Sequence, residues 1–128
     1  MSMEKIKVML VDDEEAFVTT LSDRIQRRDF SSSVAFTGEQ ALQIVDDQVP
    51  DVMILDLKMP GIGGMEVLRR VKKAYPKVQV IILTGHGSEA DKKEALFLGA
   101  FVYLQKPVQI NELSAHIINA HKAGTKDT

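Results

Sequence analysis

Five short apolar runs alternate with five stretches of helical periodicity, and few folds accommodate that rhythm. The runs span residues 6–11, 33–36, 51–56, 78–83 and 101–104. The first is interrupted only by Lys7; the fourth is the most continuous. Each is short enough for a strand and is closed by residues that break strands. Between the first two, Phe17, Val18, Leu21 and Ile25 recur at helical spacing within 14–28. Asp13 is placed to cap that helix, and Glu14 and Glu15 suit its positive end. Thr37-Gly38-Glu39-Gln40 has the capping-box pattern and opens a second helix on Ala41, Leu42 and Val45. Gly63-Gly64 leads into a third on Val67, Leu68 and Val71, which Pro76 stops. Ser88-Glu89-Ala90-Asp91 starts a fourth, with Gly99 as its C-terminal cap. Ile110, Leu113, Ile117 and Ala120 form the inward stripe of the fifth, and a polar, frayed tail is expected from His121.

Strands that alternate with helices predict an α/β fold whose parallel sheet is covered on both faces. With right-handed crossovers, the flavodoxin-like doubly wound order 2-1-3-4-5 is one of two common solutions. It sets the first and third strands side by side, with ligands bound beyond their carboxyl ends. At 128 residues one domain is expected, and 45% hydrophobic with 27% charged residues is ordinary for a soluble protein. The formal net charge of −2 speaks against direct nucleic-acid binding. There is no cysteine, hence no disulfide framework or thiolate chemistry. No apolar run approaches a membrane span, residues 1–7 lack a signal-peptide core, and a cytoplasmic location is expected.

The chemistry centres on Ile54-Leu55-Asp56-Leu57-Lys58-Met59-Pro60-Gly61. A buried-looking run ends there in a carboxylate, followed by a Pro-Gly turn. In the predicted order Asp56 joins Asp12 and Asp13 at the carboxyl edge, with Thr84 ending the fourth strand and Lys106 following the fifth. Three clustered carboxylates repel unless a cation joins them. Hard oxygen donors suit Mg²⁺, which takes only one or two carboxylates directly and retains water. Such a site can neutralise an incoming phosphoryl group and leave one carboxylate as nucleophile. Asp56 is the best placed, being central; Lys106 and the Thr84 hydroxyl would contact phosphoryl oxygens.

Val11-Asp12-Asp13-Glu14, Asp56 with Met59-Pro60-Gly61, Leu83-Thr84, and Lys106-Pro107 together resemble the receiver domain of two-component response regulators, of the chemotaxis-regulator kind. The resemblance covers about residues 5–121 and suggests a receiver domain over 1–122, with a polar tail over 123–128. It implies phosphorylation of Asp56 by a sensor histidine kinase or phosphotransfer protein. It implies Mg²⁺ held by Asp13 and Asp56, by Asp12 largely through water, and by the backbone carbonyl of Lys58. It also implies a switch in which Thr84 moves toward the phosphoryl group and Tyr103 changes rotamer, and a cis Lys106–Pro107 bond. The signalling surface is then expected over 88–121, where an effector or a second receiver would dock. A departure is Gly63, where the family often carries an acidic residue; glycine is a nearly adequate N-cap.

Rival readings fare worse. A nucleotide- or flavin-binding module would want glycines or small hydroxyl residues after the first strand, and Asp12-Asp13-Glu14 is the opposite. A phosphorylation-independent pseudo-receiver scaffold would normally have lost Asp56, an acidic-pair residue or Lys106, and none is lost. A free-standing hydrolase has no arguable substrate pocket, so self-phosphorylation and self-dephosphorylation are the only catalysis expected. His86, flanked by glycines, reads as an exposed loop residue, and His116 and His121 are not spaced as convincing metal ligands.

Overall fold

All five apolar runs become strands of one parallel sheet. These are β1 (Lys7–Val11), β2 (Ser31–Ala35), β3 (Val52–Leu55), β4 (Gln79–Thr84) and β5 (Val102–Gln105), in the expected order β2-β1-β3-β4-β5. The computed structural model describes residues 4–125. The helices are α1 (Glu15–Gln26), α2 (Gly38–Asp47), α3 (Gly64–Ala74), α4 (Glu89–Phe97) and α5 (Ile110–Thr125).

Alternation along the strands sorts the core into two layers. Met9, Val11, Met53, Leu55, Val80 and Ile82 pack with α2, α3 and α4 through Val45, Leu68 and Ala95. Val8, Leu10, Val52, Ile54, Ile81 and Leu83 pack on the other face with α1 and α5 through Val18, Ile25 and Ile117. The side-chain period of two explains the division, and a sheet covered on both faces explains why β3 is apolar at every position. Among the described residues no helix is long and apolar enough to cross a membrane.

Several ends differ from expectation for identifiable reasons. β2 starts at Ser31, two residues early, because pairing with β1 recruits Ser31, Ser32 and Ser33 despite their weak strand preference. Asp13 does not cap α1: the N-cap is Glu14, without a side-chain cap bond, and its amide donates instead to Asp12 Oδ1 at 2.9 Å. The Thr37 hydroxyl accepts the Gln40 amide, but Gln40 Oε1 accepts from Phe36 rather than from Thr37. The capping box of α4 closes fully, between Ser88 and Asp91. Gly99 follows α4 at φ +107°, the left-handed conformation that favours glycine. α5 runs on to Thr125, past the point where a frayed tail was expected, because its last turn lies close against the Lys77 carbonyl. A Cβ on Gly124 would come within 2.9 Å of that oxygen. The end of the expected tail, 126–128, lies outside the described residues.

Candidate functional site

The parallel register creates the site. Val11 pairs with Leu55, so the residues that follow them, Asp12 and Asp56, emerge side by side at the carboxyl edge. Their backbones are tied: the Asp56 amide donates to the Val11 carbonyl at 3.0 Å, and the Asp12 amide to Ala35 at 3.1 Å. Asp12, Asp13 and Asp56 each offer a carboxylate oxygen, all within 4.8 Å of one another. Asp12 and Asp56 are buried, whereas Asp13 is exposed. Burial pushes the Asp12 carboxyl above its usual range and the Asp56 charge pushes it further, against the opposing pull of Lys106 and the Glu14 amide. Three hard oxygen donors, one of them open to water, fit Mg²⁺, which keeps part of its hydration shell.

Lys106 reaches this cluster from the end of β5. Its Nζ lies 2.8 Å from Asp12 Oδ2, 2.7 Å from Glu14 Oε1 and 3.9 Å from Asp56 Oδ2. It also stands 4.3 Å from the centroid of the Phe17 ring, a cation–π distance. Burial works to lower its pKa, but the bonds to Asp12 and Glu14 outweigh it and hold the ammonium above its usual range. The Lys106 amide donates to the Thr84 carbonyl at 2.9 Å, which links two of the expected site residues. Thr84 is fully buried, and its hydroxyl accepts from the His86 amide at 3.5 Å. The Lys106–Pro107 bond is cis, as the resemblance implied.

The loop between β3 and α3 is shaped by close backbone packing. The Lys58 amide faces Asp56 Oδ1 at 3.5 Å, while its ammonium lies 3.4 Å from Asp91 at the start of α4. Glu39 of α2 accepts from the Ile62 amide at 3.1 Å and crowds Gly61, whose φ is +76°. Glu39 was read from sequence only as part of a helix cap. From sequence, Glu14 suits the positive end of α1 and belongs to the Val11–Glu14 motif, with no role toward Lys106, and Phe17 is part of the inward face of α1. The sequence signal for Glu14 was its place beside the acidic pair; for Glu39 there was none, because its target lies 23 residues away.

Tyr103 sits on edge strand β5, half-buried, with a hydroxyl that is buried and has no hydrogen-bond partner. The hydroxyl lies directly over Gly87. His86 is exposed, near enough to Glu14 to lower the pKa of that carboxyl slightly, after the larger effect of Lys106. His116 and His121 lie on α5, outside the acidic cluster. Beneath the carboxylates, Asp12, Asp56, Phe17 and Leu83 line a void of only about 10 Å³, too small for an organic substrate. A groove of about 720 Å³ is lined by Val49, Pro50, Tyr75, Pro76 and His121 at the opposite edge of the sheet. The chemistry this arrangement supports is therefore on a small group that approaches Asp56 from solvent.

Known proteins resemble this chain in sequence and fold. The family model described as the response regulator receiver domain matches residues 8–118. A response regulator receiver domain protein from Clostridium thermocellum is 36% identical, with a TM-score of 0.87, over 92% of this chain and 95% of that one. A CheY-like receiver domain protein from Methanospirillum hungatei JF-1 has the same fold at a TM-score of 0.93 and 23% identity, over 98% and 100% of the two chains. NtrX from Brucella abortus also has this fold in one part: the match, at a TM-score of 0.87 and 23% identity, covers 96% of this chain but 28% of that longer one.

Proposed function

This chain belongs to the response regulator receiver domain family, and from that premise we propose that Asp56 is its phosphoacceptor. The observation that carries the reading is the convergence of Asp12, Asp13, Asp56 and Lys106 at one sheet edge. An Asp56 carboxylate oxygen forms a new bond to phosphorus as the bond from phosphorus to the donor's leaving atom breaks, and the donor departs with that electron pair. The donor is a sensor histidine kinase or a phosphotransfer protein, acting in the cytoplasm. Asp13, Asp56 and the Lys58 carbonyl, with Asp12 largely through water, would hold Mg²⁺, which when bound would supply charge neutralisation for the transferring group. Lys106 and Thr84 take phosphoryl oxygens, and water attack on the acyl phosphate ends the signal.

Incubation with Mg²⁺ and acetyl phosphate is expected to add one acid-stable, base-labile phosphoryl group. Asp13→Ala should weaken Mg²⁺ binding and slow labelling together. Intact mass after each incubation, with a Mg²⁺ titration of the variant, is the check. An unlabelled parent, or undiminished Mg²⁺ affinity in Asp13→Ala, would count against the site.

The output surface is α4, β5 and α5. Phe97, at the end of α4, is 87% exposed and Ile118 on α5 is 41% exposed, an apolar offer to an effector or a second receiver. Thr84 and Tyr103 connect Asp56 to that surface. The inward Tyr103 ring depends on Gly87, because a Cβ there would lie 1.4 Å from the phenol oxygen. Gly87→Ala should therefore drive the ring outward even without phosphate. Aromatic NMR signals of Tyr103 report it; signals that stay at the parent's buried-ring positions would refute the dependence.

A further inference from the structure

We infer that Glu14 is a positioning residue for Lys106, holding its ammonium on the α1 side of the site until a phosphoryl group on Asp56 competes for it. The inference rests on the reading of Asp56 as phosphoacceptor. Lys106 pairs at 2.8 Å with Asp12 and at 2.7 Å with Glu14, yet stops 3.9 Å from Asp56. The lysine that should meet the phosphoryl group is thus engaged elsewhere in the unmodified protein. Its two carboxylate partners are not equivalent. Asp12 belongs to the set of oxygens that can hold a cation, and Glu14 does not. Neutralising the acidic set therefore loosens the grip of Asp12 on Lys106 and leaves that of Glu14 intact.

The local fold makes the contact. Glu14 is the N-cap of α1, and its amide is bound to Asp12 Oδ1. Asp12 Oδ2 takes the ammonium, so one carboxylate fixes both the turn and the cation. The Glu14 side chain then closes over Lys106 from the solvent side, itself 63% exposed, while Phe17 of the same helix lies against the ammonium. A contact so exposed is weak, which suits something that must give way: a doubly charged phosphoryl group in a more buried place outcompetes it.

Beryllofluoride, a phosphoryl mimic, tests this at saturating Mg²⁺ in the parent, Glu14→Gln, Lys106→Ala and the double variant, followed by NMR. Glu14→Gln should bind about two- to fivefold more tightly, the scale of one exposed ion pair. In the Lys106→Ala background the same substitution should have no effect. Equal affinities for Glu14→Gln and parent would overturn the inference alone. So would a gain that persists without Lys106, since Glu14 would then be only a nearby negative charge. In the ligand-free protein the ¹⁵Nζ resonance of Lys106 should move in Glu14→Gln, and an unmoved resonance overturns the contact whatever beryllofluoride does. Failure of the parent to bind beryllofluoride would overturn the phosphoacceptor reading, and the competition with it.

Discussion

Asp56→Asn is expected to lose phosphoryl labelling down to background while the protein remains folded. The amide has no anionic oxygen to attack phosphorus, and it removes one of three charges that face the metal position. The loss should not come from unfolding. Asp56 is one of the causes that raise the Asp12 pKa, so the two carboxylates repel in the folded protein. Removing that charge should leave stability unchanged or raise it. Labelling and thermal melting together separate the two effects. Labelling at the parental level would hand the acceptor role to Asp12 or Asp13. A lower melting temperature alongside lost labelling would make the result uninformative about chemistry and contradict the predicted repulsion.

Gly64→Ala is expected to lower the melting temperature by about 8 °C and to slow phosphoryl acceptance. A Cβ at this position would come 2.2 Å from the Asp56 carbonyl and 2.7 Å from Leu57 Cα. Both are backbone atoms at the end of the central strand and cannot swing aside as a side chain would. Overpacking of this kind costs about 1–3 kcal/mol, and the upper end applies where backbone must move. Alanine recovers about 1 kcal/mol of helix preference at the start of α3, which leaves a net cost of about 2 kcal/mol. For a chain of this length that is about 4 °C per kcal/mol. The displaced atoms belong to Asp56 and its neighbour, so the proposed acceptor would shift with them. A variant that melts with the parent and is labelled at the parental rate would show that the loop relaxes freely. Gly63 provides the contrast: its nearest contact, the Leu57 carbonyl, is at 3.7 Å, so alanine is accommodated there.

Most of the architecture was legible because each layer repeats a local rule. Val52-Met53-Ile54-Leu55 has no polar face, so it had to be a strand buried on both sides. The helix stripes, the Ser88–Asp91 box and Gly99 likewise carry their own mechanisms in a few adjacent residues. Alternation together with the handedness of crossovers left two common strand orders, and the resemblance to receiver domains pointed to 2-1-3-4-5. Once that order was set, Asp12, Asp56, Thr84 and Lys106 fell on one edge, because each stands at or just past the end of a strand.

Pairing partners were not legible, because they depend on distances between residues far apart in the chain. Asp13 looked like the cap of α1, but Asp12 takes the Glu14 amide and Asp13 stays exposed in the acidic cluster. β2 begins at Ser31 because β1 supplies the ladder, although serine by itself does not favour a strand. α5 holds to Thr125 because its last turn meets Lys77 and Gln79. Local sequence alone thus determined the elements, and the motifs taken together across the chain pointed to their order in the sheet and the edge on which the site residues gather. Tertiary structure alone decided that Lys106 rests on Asp12 and Glu14 rather than Asp56, and that Tyr103 lies over Gly87. The reason is physical: periodicity and capping act within one or two turns, whereas a side chain takes whichever partner the packing of distant elements brings within about 3 Å.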